Sequence, residues 1–138
     1  PGSLYTSVIP NLLIKEISEE IIKSNAKKIY VCNIMTQPGE TDNFAVSDHL
    51  NALYQHAGSD KLVDAVLVND VLPTNISEKY AEHGQMPVVL DKNNIHVDIV
   101  EKKLIEESRD GLVRHSSNRV ARAIYYWFRK SQKNKNNQ

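Results

Sequence analysis

Ala65-Val66-Leu67-Val68-Asn69 is a run of four apolar residues that ends in an amide, and its length suits one buried β-strand. A similar run, Ile29-Tyr30-Val31-Cys32-Asn33, comes earlier in the chain, and Val88-Val89-Leu90 comes later. Short, almost wholly apolar runs are typical of parallel strands that are covered on both faces. The sequence therefore predicts a sheet with a layer of helices on each side.

Helices are predicted between these strands. Apolar residues at helical spacing indicate a helix from about Thr6 to Lys23. Pro10 fits its first turn, because the N–H that proline lacks would have no intrahelical partner there. A second helix carries Val46 on its apolar face and ends at Gly58, a residue that commonly stops helices.

The same alternation continues towards the end of the chain. Ser77 predicts the cap of a short helix that ends at Gly84. Apolar residues alternate with polar ones from Ile95 to Ile99, which indicates a strand near the sheet edge. Ser116 or Ser117 begins a last helix, whose apolar face carries Val120, Ile124, Trp127 and Phe128.

Strands that alternate with helices predict an α/β fold with a doubly wound, mostly parallel, Rossmann-like sheet. We assign residues 1–129 to one domain and residues 130–138, which are polar and basic, to a disordered tail. The first helix follows no strand. We therefore expect the chain to be a fragment that lacks the N-terminal half of its domain.

Composition excludes several classes of function. Lys+Arg and Asp+Glu are both 17, so no net charge attracts nucleic acid. No apolar run approaches the roughly 20 residues of a membrane span, and the single cysteine, Cys32, excludes an internal disulfide and suits the cytoplasm. The oligomeric state, including a homo-oligomer, stays open.

A first candidate site segment opens the chain. In a doubly wound sheet, ligands bind beyond the carboxyl ends of the strands. The loop Gly2-Ser3-Leu4-Tyr5-Thr6-Ser7 offers a flexible glycine, hydroxyl groups and the free N–H groups of a helix start, which together suit a phosphate. The alternative is that Thr6 or Ser7 only caps the helix.

Two more segments follow strands. Asn33, Thr36 and Gln37 stand in a long polar loop, and their side chains can bond sugar hydroxyls or a base edge. Asp42 and Asp48 are candidate acids, with helix capping as the alternative for Asp48. The third segment begins with Asn69, which occupies the place after its strand that Asn33 occupies after the earlier one.

Two further residues are candidates for ligand binding. Tyr80 could stack on a base or a ring, and Arg114 is suited to pairing with a diphosphate. Packing and a solvated surface charge are the respective alternatives. The sequence contains no nucleophile–base set, no metal-ligand spacing and no Walker loop. The residues alone thus predict a ligand-binding domain without catalytic residues, metal or cofactor.

Two strings of this sequence resemble the YvcK family of bacterial gluconeogenesis factors, which is related to the 2-phospho-lactate transferase CofD. The first string runs over residues 1–13, PGSLYTSVIPNLL, and the second runs over residues 35–42, MTQPGETD, with Ser47-Asp48-His49 after it. Shorter matches include Tyr80 and Arg114-His115. The resemblance covers nearly all of the chain except its tail.

The resemblance implies properties that the spacing of residues does not show. It implies a cytoplasmic protein that binds UDP-sugars such as UDP-N-acetylglucosamine and acts in cell shape and wall synthesis during gluconeogenic growth. Tyr80 and Arg114 match positions associated with nucleotide-sugar binding. The missing N-terminal half would carry a glycine-rich nucleotide loop and an acidic segment. The alternative is a CofD-like transferase that moves a phospho-acyl group from a nucleotide to an alcohol.

Overall fold

The computed structural model describes residues 2–73, 80, 82–107 and 112–135. Pro1, the predicted helix cap Ser77 with Glu78 and Lys79, and residues 136–138 of the predicted tail lie outside these ranges.

The main sheet has three parallel strands in the order β1-β2-β3. They are β1 (Ile29–Val31), β2 (Ala65–Asn69) and β3 (Asp98–Lys102). Ala65 lies opposite Ile29 on one side and opposite Asp98 on the other. Because β2 is the central strand, all of its residues except Asn69 are buried, which explains its continuous apolar run. The predicted parallel sheet is confirmed.

The helices cover both faces of the sheet. A π-helical turn (Leu4–Val8) leads into α1 (Ile9–Leu12), and α2 (Lys15–Lys23), α3 (Val46–Ala57) and α4 (Ser117–Lys135) follow. Short 3-10 turns stand at Asp60–Leu62 and Lys92–Asn94. A separate antiparallel hairpin, β4 (Ile105–Glu107) with β5 (Val113–His115), was not predicted from the sequence.

Alternate residues of β2 enter two different cores. Val66 and Val68 join the cluster formed with α1 and α3. Leu67 points to the opposite face and packs with Leu104 and with Ala123 of α4. A strand that is buried on both faces between helical layers is the doubly wound arrangement that the sequence predicts.

The single helix predicted from Thr6 to Lys23 is wrong, because the chain breaks between α1 and α2. Ile14 there is extended, with φ −79° and ψ 106°. The break changes the direction of the helix axis at α2. Ile21 of α2 packs against the core, while Ile17 is 40% exposed. Helical spacing alone cannot detect this change of direction, because both segments keep the same residue period.

Two predicted strands are also wrong in position. Residues 88–90 form no strand, and Val89 makes only an isolated bridge to Ala45. The strand predicted over residues 95–99 begins instead at Asp98, while Ile95 is buried in the core after the 3-10 turn. The alternating pattern arose because Ile95 is buried from a loop, and a buried loop residue gives the same apolar signal as a strand residue.

The last helix continues beyond its predicted end. α4 runs to Lys135, so residues 130–135 of the predicted disordered tail are helical. Lys130, Gln132 and Lys133 are exposed on a helix that buried contacts of Ala123 already hold against the sheet. No helix in the described ranges is long and apolar enough to cross a membrane.

Candidate functional site

Two clefts lie at the carboxyl edge of the parallel sheet. Asn33 follows β1 and Asn69 ends β2, so both lie at this edge. One cleft of about 230 Å³, the amide cleft, is lined by Gly2, Ser3, Asn33, Ile34, Met35, Thr36, Gln37, Tyr80, Gln85, Val113 and His115. The neighbouring cleft, of about 260 Å³, is more apolar, shares Asn33 and Ile34 with it and includes Asn69.

The structure brings half of the predicted site residues together. Those on the wall of the amide cleft are Gly2, Ser3, Asn33, Thr36, Gln37 and Tyr80. Asn69 lies in the neighbouring cleft. The predicted residues that line neither cleft are Leu4, Tyr5, Thr6, Asp42 and Arg114. A ligand contact by these five stays a prediction.

The opening loop is held by its own hydrogen bonds. Ser3 is the N-cap: its Oγ accepts the Thr6 N–H at 3.1 Å, and its hydroxyl donates to the Glu40 carboxylate. A Cβ at Gly2 would lie 2.6 Å from the Ser7 Cβ, so this position requires glycine. The capping alternative thus describes the loop, with Ser3 in the role considered for Thr6 or Ser7.

The side chains of Leu4 and Tyr5 in this loop pack elsewhere and do not line the cleft. Leu4 is fully buried in the main core. The Tyr5 ring packs edge-on against Phe44 and His56, at centroid distances of 6.4 and 5.9 Å. Only their backbone groups could therefore contact a ligand at the start of the helix.

The polar loop after β1 is closed by a buried threonine. Thr41 Oγ1 accepts the Gln37 N–H at 2.8 Å, and the Thr41 N–H donates to the Gln37 carbonyl at 2.9 Å. Asp42 accepts the N–H of Gly39 at 2.7 Å, which stabilises a turn where Gly39 has φ +75°. Asp48 accepts the Ala45 N–H at 2.8 Å, so its capping alternative is the one observed.

One wall of the amide cleft is a backbone pairing between distant segments. The Thr36 N–H donates to the Met86 carbonyl at 2.7 Å, and Thr36 Oγ1 accepts the Met86 N–H at 2.9 Å. The Gln85 side chain donates to the Thr36 carbonyl at 3.2 Å. The Tyr80 hydroxyl accepts the Val113 N–H at 2.9 Å. Thr36 and Tyr80 are thus structural members of the wall, and the Tyr80 ring lines the cleft.

The amide side chains of Asn33 and Gln37 form longer hydrogen bonds than the other polar groups of the cleft wall. Asn33 Nδ2 lies 3.4 Å from Gln37 Oε1 and 3.5 Å from the Gly2 carbonyl, at the long limit of a hydrogen bond. Asn69 differs, since its Oδ1 accepts the Leu104 N–H at 3.0 Å and its Nδ2 donates to the Val71 carbonyl. Asn33 and Gln37 can therefore exchange partners with a ligand, whereas both ends of Asn69 hold the fold.

Sequence reasoning missed Gln85 and His115 as cleft residues. Successive residues of a strand face opposite sides, so Val113 and His115 share the cleft side of β5, while Arg114 is exposed on the other. From the sequence, the pair Arg114-His115 was placed only before the last helix, and no strand was predicted there. Recognition of β5 as a strand would have selected His115.

The described part of the amide cleft is polar but uncharged. Burial lowers the pKa of His115 to about 4, so its ring is neutral at pH 7, and no Asp, Glu, Lys or Arg lines the cleft. The described residues contain no cluster of His, Cys, Asp or Glu that could hold a metal. Burial also raises the pKa of Cys32 to about 12, which leaves its thiol unreactive. The cleft is equipped for hydrogen bonding.

Comparisons with known proteins agree with the fold. The family model of 2-phospho-L-lactate transferase CofD matches residues 1–105. A Clostridium acetobutylicum protein is 51% identical over 128 residues, which are 90% of this chain and 28% of that protein. The gluconeogenesis factor of Bacillus subtilis is 42% identical over 125 residues, 88% of this chain and 39% of the relative.

A solved structure also matches closely. The crystal structure of a Bacillus halodurans protein, described as a member of the upf0052 family, superposes with a TM-score of 0.83 at 41% identity. The match covers 90% of this chain and 41% of that one. The chain therefore spans less than half the length of these relatives.

Proposed function

The chain belongs to the family of the 2-phospho-L-lactate transferase CofD, and we propose that the protein binds a UDP-sugar, such as UDP-N-acetylglucosamine, at the carboxyl edge of its sheet. The similarity to the gluconeogenesis factor of Bacillus subtilis bears out the resemblance to the YvcK family. The protein would act in the cytoplasm as a regulator of cell shape and wall synthesis during gluconeogenic growth.

The observation that carries this proposal is the composition of the amide cleft. Four separate stretches of chain supply its wall, and the side chains of Asn33 and Gln37 there make only long hydrogen bonds. Amides that are held loosely at the end of parallel strands suit the hydroxyl groups and the amide of an amino sugar.

The phosphates would lie outside this uncharged cleft. The first N–H groups of a helix, here those of Leu4 and Tyr5, have no intrahelical partner, and the helix dipole favours an anion beside them. Arg114, exposed on β5, is the cation that the family resemblance assigns to nucleotide-sugar binding. The helix start supports a diphosphate outside the amide cleft, and the resemblance adds Arg114, which lies on the side of β5 that faces away from that cleft.

Isothermal titration calorimetry on the full-length protein tests the proposal. UDP-N-acetylglucosamine should bind with a measurable heat, and ADP-ribose should bind more weakly. Absence of heat at millimolar UDP-sugar would rule the proposal out. For the cellular role, cells without the protein should lose their normal shape on a gluconeogenic carbon source and keep it on glucose.

A transferase activity is the second candidate, because the family model that matches residues 1–105 is named for 2-phospho-L-lactate transferase. The protein would then move a phospho-acyl group from a nucleotide to an alcohol. Incubation of the full-length protein with nucleotide donors, an acceptor alcohol and Mg²⁺ tests this candidate. Release of nucleoside monophosphate only when the acceptor is present would support transfer; no release would leave binding without turnover.

A further inference from the structure

His115 ends β5 on the wall of the amide cleft. Its Nε2 atom is buried and has no hydrogen-bond partner in the structure. Buried polar atoms are rarely left without a partner, because desolvation is then uncompensated. A polar atom in this condition on a cleft wall marks a place where a ligand can supply the missing bond.

His49 shows that the position of the ring decides this interpretation. Its Nε2 is also buried and unpartnered, and its Nδ1 lies 3.1 Å from the Tyr30 hydroxyl. However, His49 is fully buried, packs against Phe44 at 5.7 Å and lines neither of the clefts at the sheet edge. His49 is therefore a core residue, whereas His115 faces a space that a ligand can enter.

Burial keeps the His115 ring neutral, since it lowers the pKa of His115 to about 4. In a neutral imidazole, one ring nitrogen carries the proton and the other carries a lone pair. The unpartnered Nε2 therefore needs either a donor or an acceptor, and a hydroxyl group can be both.

A neutral ring nitrogen in a cleft whose described lining is uncharged selects the ligand group by its chemistry. It offers no positive charge to a phosphate, whereas a hydroxyl completes its hydrogen bonding in either tautomer. Asn33 and Gln37, on the same wall, can each donate and accept. Together they match a group that both donates and accepts hydrogen bonds and carries no charge.

We propose that the amide cleft receives an uncharged, hydroxyl-bearing part of the ligand, and that His115 Nε2 forms a hydrogen bond with one of its hydroxyls. This assignment rests on the proposed UDP-sugar binding and adds the orientation of the ligand. The sugar would lie in the amide cleft, and the diphosphate would lie outside it. His115 is thus a specificity residue that distinguishes a UDP-sugar from UDP.

Matched variants of the full-length protein test the assignment by calorimetry. His115→Phe keeps an aromatic ring and removes the hydrogen-bonding nitrogens, and it should weaken binding of UDP-N-acetylglucosamine about tenfold while UDP affinity stays within about twofold. His115→Gln restores a side chain that both donates and accepts hydrogen bonds and should recover most of the loss. His96→Gln, a change at an exposed histidine outside both clefts, should bind like the wild type.

Three results would overturn the assignment. His115→Phe could bind the UDP-sugar as tightly as the wild type, it could lose UDP and the UDP-sugar equally, or His115→Gln could fail to recover binding. A wild-type protein that binds no UDP-sugar would refute the proposed function instead. Histidine ¹⁵N NMR on the free protein then still tests the assignment: it requires a neutral His115 ring at pH 7, and a ring that is protonated on both nitrogens at that pH would refute it.

Discussion

Removal of one buried hydroxyl should loosen the polar loop of the amide cleft. Thr41 is fully buried, and its Oγ1 is the acceptor for the Gln37 N–H at 2.8 Å. Thr41→Val keeps the shape of the side chain and removes that acceptor. A half-buried N–H left without a partner costs about 1–2 kcal/mol, which corresponds to a factor of about 5–30 in the local opening equilibrium.

Amide hydrogen exchange measured by NMR reports this change at the affected group. The Gln37 N–H should exchange about 5–30 times faster in Thr41→Val than in the wild type. Thr41→Ser is the matched control, because it keeps the hydroxyl and loses only a methyl group, and it should leave Gln37 protected. Equal exchange at Gln37 in Thr41→Val and the wild type would refute the reasoning, as would loss of protection in Thr41→Ser.

Three further predictions concern stability and binding. Asn69→Ala removes the acceptor of the buried Leu104 N–H, so urea unfolding should show a loss of about 1–3 kcal/mol, and a change below about 0.5 kcal/mol would contradict this role. Arg114→Ala should weaken UDP-sugar binding by about 2 kcal/mol in calorimetry, and unchanged affinity would remove Arg114 from the site. Burial lowers the pKa of His49 and of His115 to about 4, so the unfolded chain binds more protons than the folded one below about pH 6.5. The free energy of unfolding in urea should therefore be highest above that pH and fall towards pH 4, by up to about 1.4 kcal/mol per pH unit for each ring. A free energy of unfolding that does not change with pH would contradict this prediction.

The elements that bury continuous apolar runs could be predicted from the sequence. β1 and β2 are short apolar runs, and α3 combines a helical period with Gly58 at φ +71° as its stop. In these segments, local preference and burial agree. The prediction failed where tertiary packing decides the structure. Ile95 fills the core from a loop. The helix is interrupted at Ile14, although the spacing of apolar residues continues across the interruption.

The candidate site was predictable in its position but not in its details. Asn33 follows a buried strand, and the edge where ligands bind follows from the parallel topology. The roles of single side chains depend on partners that are distant in sequence, such as Leu104 for Asn69 and Glu40 for Ser3. His115 was missed because β5 has only three residues, too few to show an alternating pattern.

A crystal structure of the full-length protein with bound UDP-N-acetylglucosamine tests the central claim most directly. We expect the sugar in the amide cleft, with one hydroxyl at hydrogen-bond distance, about 3 Å, from His115 Nε2 and the diphosphate outside the cleft. A ligand bound elsewhere, or bound with its phosphates in the amide cleft, would contradict the account.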